Sequence, residues 1–154
     1  MPSKQDIIYV GLQFVLLVAL FINPFGNAEM IHPWTGLMGF IICGIAIVFG
    51  LVALVQLGTN LTPWPSPKTN SSLVTTGTFG WARHPIYASL IWFAVGLSLG
   101  YMSLWRFVVT ALLILLFIKK STFEESMLHE RFEAYAAYAK RVKRFGSIAI
   151  PKLW

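Results

Sequence analysis

The chain has 154 residues, 56% of them hydrophobic and only 12% charged, with a mean hydropathy of +0.69. Soluble domains carry about 25% charged residues, so this chain lacks the polar groups needed to cover a water-facing surface. Much of its formal charge of +6 lies in the tail after Lys119 while the middle is nearly uncharged, which argues for a membrane topology and against a nucleic-acid-binding face. The single Cys43 lies inside an apolar segment and excludes both a disulfide framework and a thiolate metal cluster.

The first segment, MPSKQDIIYVGLQFVLLVALFI, has the length of a signal peptide but no small-x-small cleavage site before Asn23-Pro24. It reads as a retained helix over 7–22, about 24 Å long against a bilayer core of about 30 Å. Asn23 to Asn27 breaks it. A second helix is expected over 34–57, with Pro33 suited to its first turn. Its glycines at 36, 39, 44 and 50 would weaken a soluble helix but allow close helix contact in lipid. The third and fourth spans are expected over 85–100 and 104–122. Tyr101-Met102-Ser103 leaves room only for a tight turn, so these two should form an antiparallel hairpin, with Arg106 reaching toward headgroups.

Charge placement orients these spans. Lys4 precedes the first, and the first connection holds Glu29 but no Lys or Arg. The second connection carries Lys68 and Arg83, and the tail carries Lys119, Lys120, Arg131, Lys140, Arg141, Lys143 and Arg144. The positive-inside rule then places both termini in the cytoplasm, consistent with an even number of crossings. The expected class is an all-α integral membrane protein, a single domain with four transmembrane helices and a cytoplasmic amphipathic C-terminal helix.

The 58–84 connection is long, and Pro63, Pro65 and Pro67 forbid a regular helix there. Connections of this length without regular structure are often functional, which favours a site lid or wall over a plain interfacial loop. It ends in Arg83-His84-Pro85-Ile86-Tyr87. Pro85 can take the first helical position, leaving unpaired N–H groups and a positive helix end for an anion. Arg83 can pair with the same anion, while His84 and Tyr87, three apart, can approach one ligand. The same residues also read as a positive-inside anchor, a helix cap and an interfacial aromatic.

Glu124 and Glu125 follow the last apolar span directly. On a wheel of about 100° per residue, Leu128, Phe132, Tyr135 and Val142 form one apolar stripe, which Glu124 and Glu125 straddle at about 40° to 60° on either side of Leu128. If the helix is continuous, at least one of the pair faces protein or ligand; the alternative is a charged collar ending a membrane helix. Within the tail, HERFEAYAAYAKRVKRFG (129–146) reads as an amphipathic cytoplasmic helix lying on anionic lipid or covering the loop that holds Trp64. The 58–84 loop and the 123–154 tail together are expected to form the site. His32, His84 and His129 are too dispersed for a zinc site, and Gly77-Thr78-Phe79-Gly80 is too short for a dinucleotide fingerprint.

Together, Leu73-Val74-Thr75-Thr76-Gly77-Thr78-Phe79, Arg83-His84-Pro85-Ile86-Tyr87, Glu124-Glu125 and the later Phe132, Tyr135, Tyr138, Val142 and Arg144-Phe145 resemble the membrane methyltransferase family of isoprenylcysteine carboxyl methyltransferases and phospholipid N-methyltransferases. The resemblance covers about 57–145, and Thr78, Phe79 and Ser89 depart from the family's usual proline, tyrosine and glycine. It implies S-adenosylmethionine held by Gly77, Arg83, His84, Tyr87, Glu124 and Glu125, with no metal. Glu125 would orient the acceptor or handle a proton, a role Glu124 could exchange with it. The implied partner is a membrane lipid or lipophilic small-molecule acceptor, with no nucleic acid and a possible homo-oligomer. The expected location is a prokaryotic inner or plasma membrane. Isoprenylcysteine-carboxylate-type O-methylation is the leading expectation. The alternatives are phospholipid amine N-methylation, small-thiol S-methylation, a related membrane reductase, and a noncatalytic interaction protein or small transporter.

Overall fold

The computed structural model describes residues 3–25, 33–66 and 70–146. Its helices are α1 (Lys4–Ala19), α2 (Pro33–Leu57, followed by a 3-10 turn at Gly58–Asn60), α3 (Thr78–Trp81), α4 (Pro85–Tyr101), α5 (Leu104–Arg131) and α6 (Tyr135–Arg141). Glu29, His32, Pro67 and Lys68, which carry topological or chemical weight in the sequence, lie outside the described residues, as does the tail after Gly146.

Helix α1 begins at a capping box: Asp6 N donates to Ser3 Oγ (3.1 Å) and Ser3 N donates to Asp6 Oδ2 (2.8 Å), so two otherwise orphaned donors are satisfied. Asp6 is fully buried and also accepts from Ser66 N (3.2 Å) and Ser66 Oγ (2.7 Å), which ties the loop after α2 to the start of α1. At the other end, Trp105 Nε1 donates to Ala19 O and Arg106 Nε to Leu20 O, both at 2.9 Å. These bonds satisfy carbonyls that a helix terminus leaves open. Arg106 is only 5% exposed and its guanidinium lies 4.3 Å from the Tyr101 ring centroid, so it caps α1 and does not reach out to headgroups.

Helices α2 and α4 pack at backbone distance. A Cβ on Gly39 would lie 2.5 Å from both Gly100 N and Gly96 O, and one on Gly96 would lie 2.7 Å from Cys43 Sγ. No residue with a side chain fits this seam without the helices moving apart. Helix α4 ends at Met102 in the left-handed region (φ 45°), and α5 begins two residues later, giving the expected tight turn. Ser98 Oγ and Thr110 Oγ1 meet at 3.0 Å across the hairpin, above a core that includes Leu20, Ile91, Val109, Leu113 and Phe117.

The all-α class holds, but the expectation of four transmembrane helices is corrected. Among the described residues, one helix is long and apolar enough to cross a membrane: Pro33–Asn60, of 28 residues and mean hydropathy 2.8. Helices α1 and α4 have 16 and 17 residues. At 1.5 Å per residue, each falls short of a hydrocarbon core of about 30 Å. Helix α5 has the length, with 28 residues, but Arg106 at one end and Lys119, Lys120, Glu124 and Glu125 at the other confine its charge-free stretch.

The expected long C-terminal helix is also corrected. Helix α5 stops at Phe132, which is extended (φ −121°, ψ 108°), and the chain turns into the separate short α6. After α6 it runs back along the start of α4: Arg83 N donates to Lys143 O and His84 N to Arg144 O, both at 3.0 Å. The break at Phe132 therefore brings the tail onto the Arg83-His84 segment, where a continuous helix would have carried it away.

Candidate active site

Pro85 occupies the first turn of α4 and His84 caps it (φ −124°, ψ 68°). That places the His84 ring against α5. Its Nε2 lies 3.0 Å from Glu125 Oε1, and its Nδ1 lies 3.7 Å from Glu124 Oε2. A hydrogen bond to an ionised carboxylate requires the proton on Nε2. One turn on, Tyr87 Oη donates to Glu124 Oε2 at 2.8 Å. The Tyr87 ring stacks on His84 (centroids 5.3 Å apart, planes 3° apart) and on Phe117 (4.9 Å, 12°). The i, i+3 spacing expected to let His84 and Tyr87 share a ligand thus also stacks them on each other and gives each a carboxylate partner.

Glu125 is the centre of a cationic clamp. Arg83 Nε and Nη2 donate to its two oxygens at 3.0 Å each, and Arg144 Nε and Nη2 donate to the same two oxygens at 3.2 and 2.8 Å. Arg83 Nη1 is engaged as well, donating to Ala139 O (2.9 Å) and Val142 O (2.6 Å). Burial alone would raise the Glu125 carboxyl. The hydrogen bonds from His84 and Arg144 and the charge of Arg83 outweigh it and hold the group at about 2. Planar, two-point pairing of this kind fixes geometry as well as charge. Such a carboxylate is a poor proton acceptor near neutrality and a strong organiser of its neighbours.

Beside this clamp lies a cavity of about 360 Å³, walled by α1, α2, the 60–65 and 71–74 loop segments, the starts of α3 and α4, α5, and the Phe132–Tyr138 turn. Its size is within the roughly 300–1,000 Å³ usual for small-molecule sites. Arg83, His84, Tyr87 and Glu124 line it, and Glu125 does not. The two acidic residues therefore divide the work: Glu124 faces the cavity and Glu125 stands behind it. Gly77 is not on the wall either. Its φ of +62° and the contact that a Cβ there would make with the Gln56 amide explain the glycine. Gln56 Oε1 accepts from Thr78 N (2.9 Å) and Thr78 Oγ1 (2.7 Å), which holds the start of α3.

Two contacts at the site, Lys120 with Gln13 and Tyr138 with Phe79, join residues too far apart in sequence to be paired by reading it. Lys120 and Gln13 meet at the cavity wall, with Nζ donating to Oε1 at 2.6 Å. Tyr138 Oη donates to Phe79 O at 2.6 Å, locking α6 to α3. Tyr135 also lines the cavity, and its buried hydroxyl is without a hydrogen-bond partner among the described residues. Burial pushes both phenols up, Tyr138 to about 12, so Tyr135 is a neutral donor at physiological pH. An orphaned buried hydroxyl is costly unless a ligand or water meets it.

Residues 34–135 match the family described as Phospholipid methyltransferase. The Protein-S-isoprenylcysteine O-methyltransferases of Rattus norvegicus and Mus musculus are each 32% identical over 106 residues, 64% of this chain. A solved structure of a eukaryotic intramembrane Ras methyltransferase, isoprenylcysteine carboxyl methyltransferase, superposes with a TM-score of 0.72 at 23% identity and covers 95% of this chain. The match covers 37% and 38% of the two curated relatives and 54% of the solved chain. The fold and the cavity at the start of α4 are those of a helical membrane protein with a small-molecule site. This chain belongs to the phospholipid methyltransferase family, the membrane methyltransferases that take their methyl group from S-adenosylmethionine. The relatives found are from rat and mouse and the solved one is eukaryotic, which overturns the expectation of a prokaryotic inner or plasma membrane.

Proposed function

We propose that the chain catalyses methyl transfer from S-adenosylmethionine to a lipophilic, membrane-accessible acceptor, of the isoprenylcysteine-carboxylate type. The observation that carries this reading is the meeting of the α4 start with the Glu124-Glu125 turn of α5 around one cavity. The cavity residues fit the cofactor's chemistry. Glu124 offers a carboxylate to an ammonium, Tyr135 has an unmatched hydroxyl, and Phe79, Trp64 and Phe132 provide aromatic surface for a purine.

When bound, S-adenosylmethionine supplies a methyl group made electrophilic by its positive sulfur. The protein's task is then to hold donor and acceptor in line and to keep water out. A carboxylate acceptor has no proton to give up, so no group in the cavity must act as a base for it. An amine acceptor must be deprotonated first, and burial favours its neutral form. Glu125, committed to Arg83, Arg144 and His84, positions His84 and Arg83; Glu124 and Tyr87 meet the ligands.

The relatives' printed activity, isoprenylcysteine O-methylation, favours the carboxylate acceptor, while the family's description favours a phospholipid. Incubation with isotopically labelled methyl donor and either an S-prenylated N-acetylcysteine or phosphatidylethanolamine vesicles separates the two. The expected product is a base-labile methyl ester. Label in an alkali-stable N-methyl group would move the assignment to the amine, and no binding of donor or product would remove it.

A further inference from the structure

Two cationic side chains, Arg83 and Lys120, line the cavity together with the His84 imidazole. Arg83 commits four of its five donors to Glu125 and to the carbonyls of Ala139 and Val142, and His84 is held by Glu125. The anion-binding role that the sequence suggested for Arg83 is therefore already taken by the protein itself. Lys120 is different. It is 2% exposed, yet its ammonium has only a neutral partner, Gln13 Oε1 at 2.6 Å, and the face of the Tyr87 ring at 5.0 Å. Among the described residues no carboxylate lies within ion-pair distance of it. Glu124, four residues further along the same helix, is engaged by Tyr87 and approached by His84.

An ammonium has three donors, and the structure accounts for one of them. A buried cation without a direct anionic partner is expensive, because the desolvation of its charge is only partly offset by more distant acids. Burial pulls the Lys120 pKa down, while the charges of Glu124 and Asp6 oppose that. Gln13, Tyr87 and Lys120 all line the same cavity, so the open donors stand at its wall.

We propose that Lys120 is a carboxylate-binding residue of this cavity, completing its coordination with an anionic group of a bound ligand. The inference rests on the methyltransferase reading above, under which two ligand carboxylates are available: that of the methionyl part of the cofactor and that of the acceptor. Both are the same chemistry at Lys120, and they are separable by experiment.

The test compares the wild-type protein with Lys120→Gln, Lys120→Met and Lys120→Arg in detergent or lipid nanodiscs. Binding of S-adenosylhomocysteine and the KM for an S-prenylated N-acetylcysteine are measured for each. Removing a charged hydrogen bond of this kind should weaken the affected ligand by about ten- to a hundredfold, with partial rescue by Lys120→Arg. If the acceptor's carboxylate is the partner, KM rises in the neutral variants and S-adenosylhomocysteine binding stays as in the wild type. If the cofactor's carboxylate is the partner, S-adenosylhomocysteine binding falls while binding of 5′-methylthioadenosine, which lacks that carboxylate, does not. Lys120→Met guards against misfolding, since a neutral side chain of similar length often suits a buried site. A folded neutral variant that binds both ligands as the wild type does overturns the proposal and leaves the methyltransferase reading intact. A wild-type protein that binds neither ligand overturns both.

Discussion

Arg83 and Glu125 form a two-point ion pair, with Nε and Nη2 each 3.0 Å from a carboxylate oxygen, joining the start of α4 to the C-terminal part of α5. Their side chains are only 12% and 9% exposed. The pair fixes His84 and the cavity wall because the same carboxylate takes Arg144 from the returning tail. Breaking it by Arg83→Ala or Glu125→Gln leaves a buried charge with one partner fewer, at a cost of about 3–5 kcal/mol. A drop in thermal midpoint accompanied by loss of cofactor binding is expected. Unchanged stability would show that the clamp is incidental.

The same carboxylate sets the acid limit of stability. Its pKa in the folded protein, about 2, lies below the ordinary 4.5, so the clamp contributes fully above 4.5 and loses its contribution as pH falls from there toward 2. Thermal midpoints of the wild type should therefore decline over that acid range through this group, and Glu125→Gln should flatten the decline. Equal slopes for the two proteins would contradict the assignment.

Glu124 should behave in the opposite way to Glu125. It faces the cavity and its side chain is about a quarter exposed, so Glu124→Gln should leave the thermal midpoint within about 1 kcal/mol of stability while lowering kcat/KM by at least about tenfold. Parallel losses of stability and activity would place it in the clamp instead.

Arg83, His84, Tyr87 and the acidic pair were legible because each belongs to a short contiguous motif with a local physical meaning: a proline-started helix and two carboxylates straddling an apolar stripe. Which glutamate faces the ligand was not legible, because the answer depends on Arg144, 19 residues further on. At about 100° per residue a continuous helix would set Arg144 about 160° from Leu128, on the far side, whereas the break at Phe132 brings it onto Glu125. Arg106 was read by the habit of arginines near helix ends, whereas its partner, Leu20 O, comes from 86 residues earlier. The number of spans failed for a similar reason. Apolar runs were counted as crossings, but two helices are short and a third carries charges at both ends of its apolar stretch.

The glycine seam offers a test of the fold alone. Gly96→Leu must displace Cys43 and the Gly39 backbone, so it should destabilise the protein by about 1–3 kcal/mol or more by overpacking. Gly44→Leu, where a Cβ meets nothing within 4 Å, should be tolerated. Similar behaviour at the two positions would argue against the α2–α4 contact.

Tyr138→Phe removes the bond to Phe79 O and should cost about 1–3 kcal/mol by leaving that carbonyl unmatched. Proteolytic nicking near α3 should increase, read by mass spectrometry of the fragments. An unchanged cleavage pattern would mean that α6 does not secure α3.

The most direct measurement is a structure of the protein with S-adenosylhomocysteine bound. Ligand density is expected in the cavity, within hydrogen-bonding reach of Glu124 and Tyr135, with the Arg83–Glu125 pair unbroken behind it. Density at another surface, or a ligand that displaces Arg83 from Glu125 to reach the carboxylate, would contradict the account.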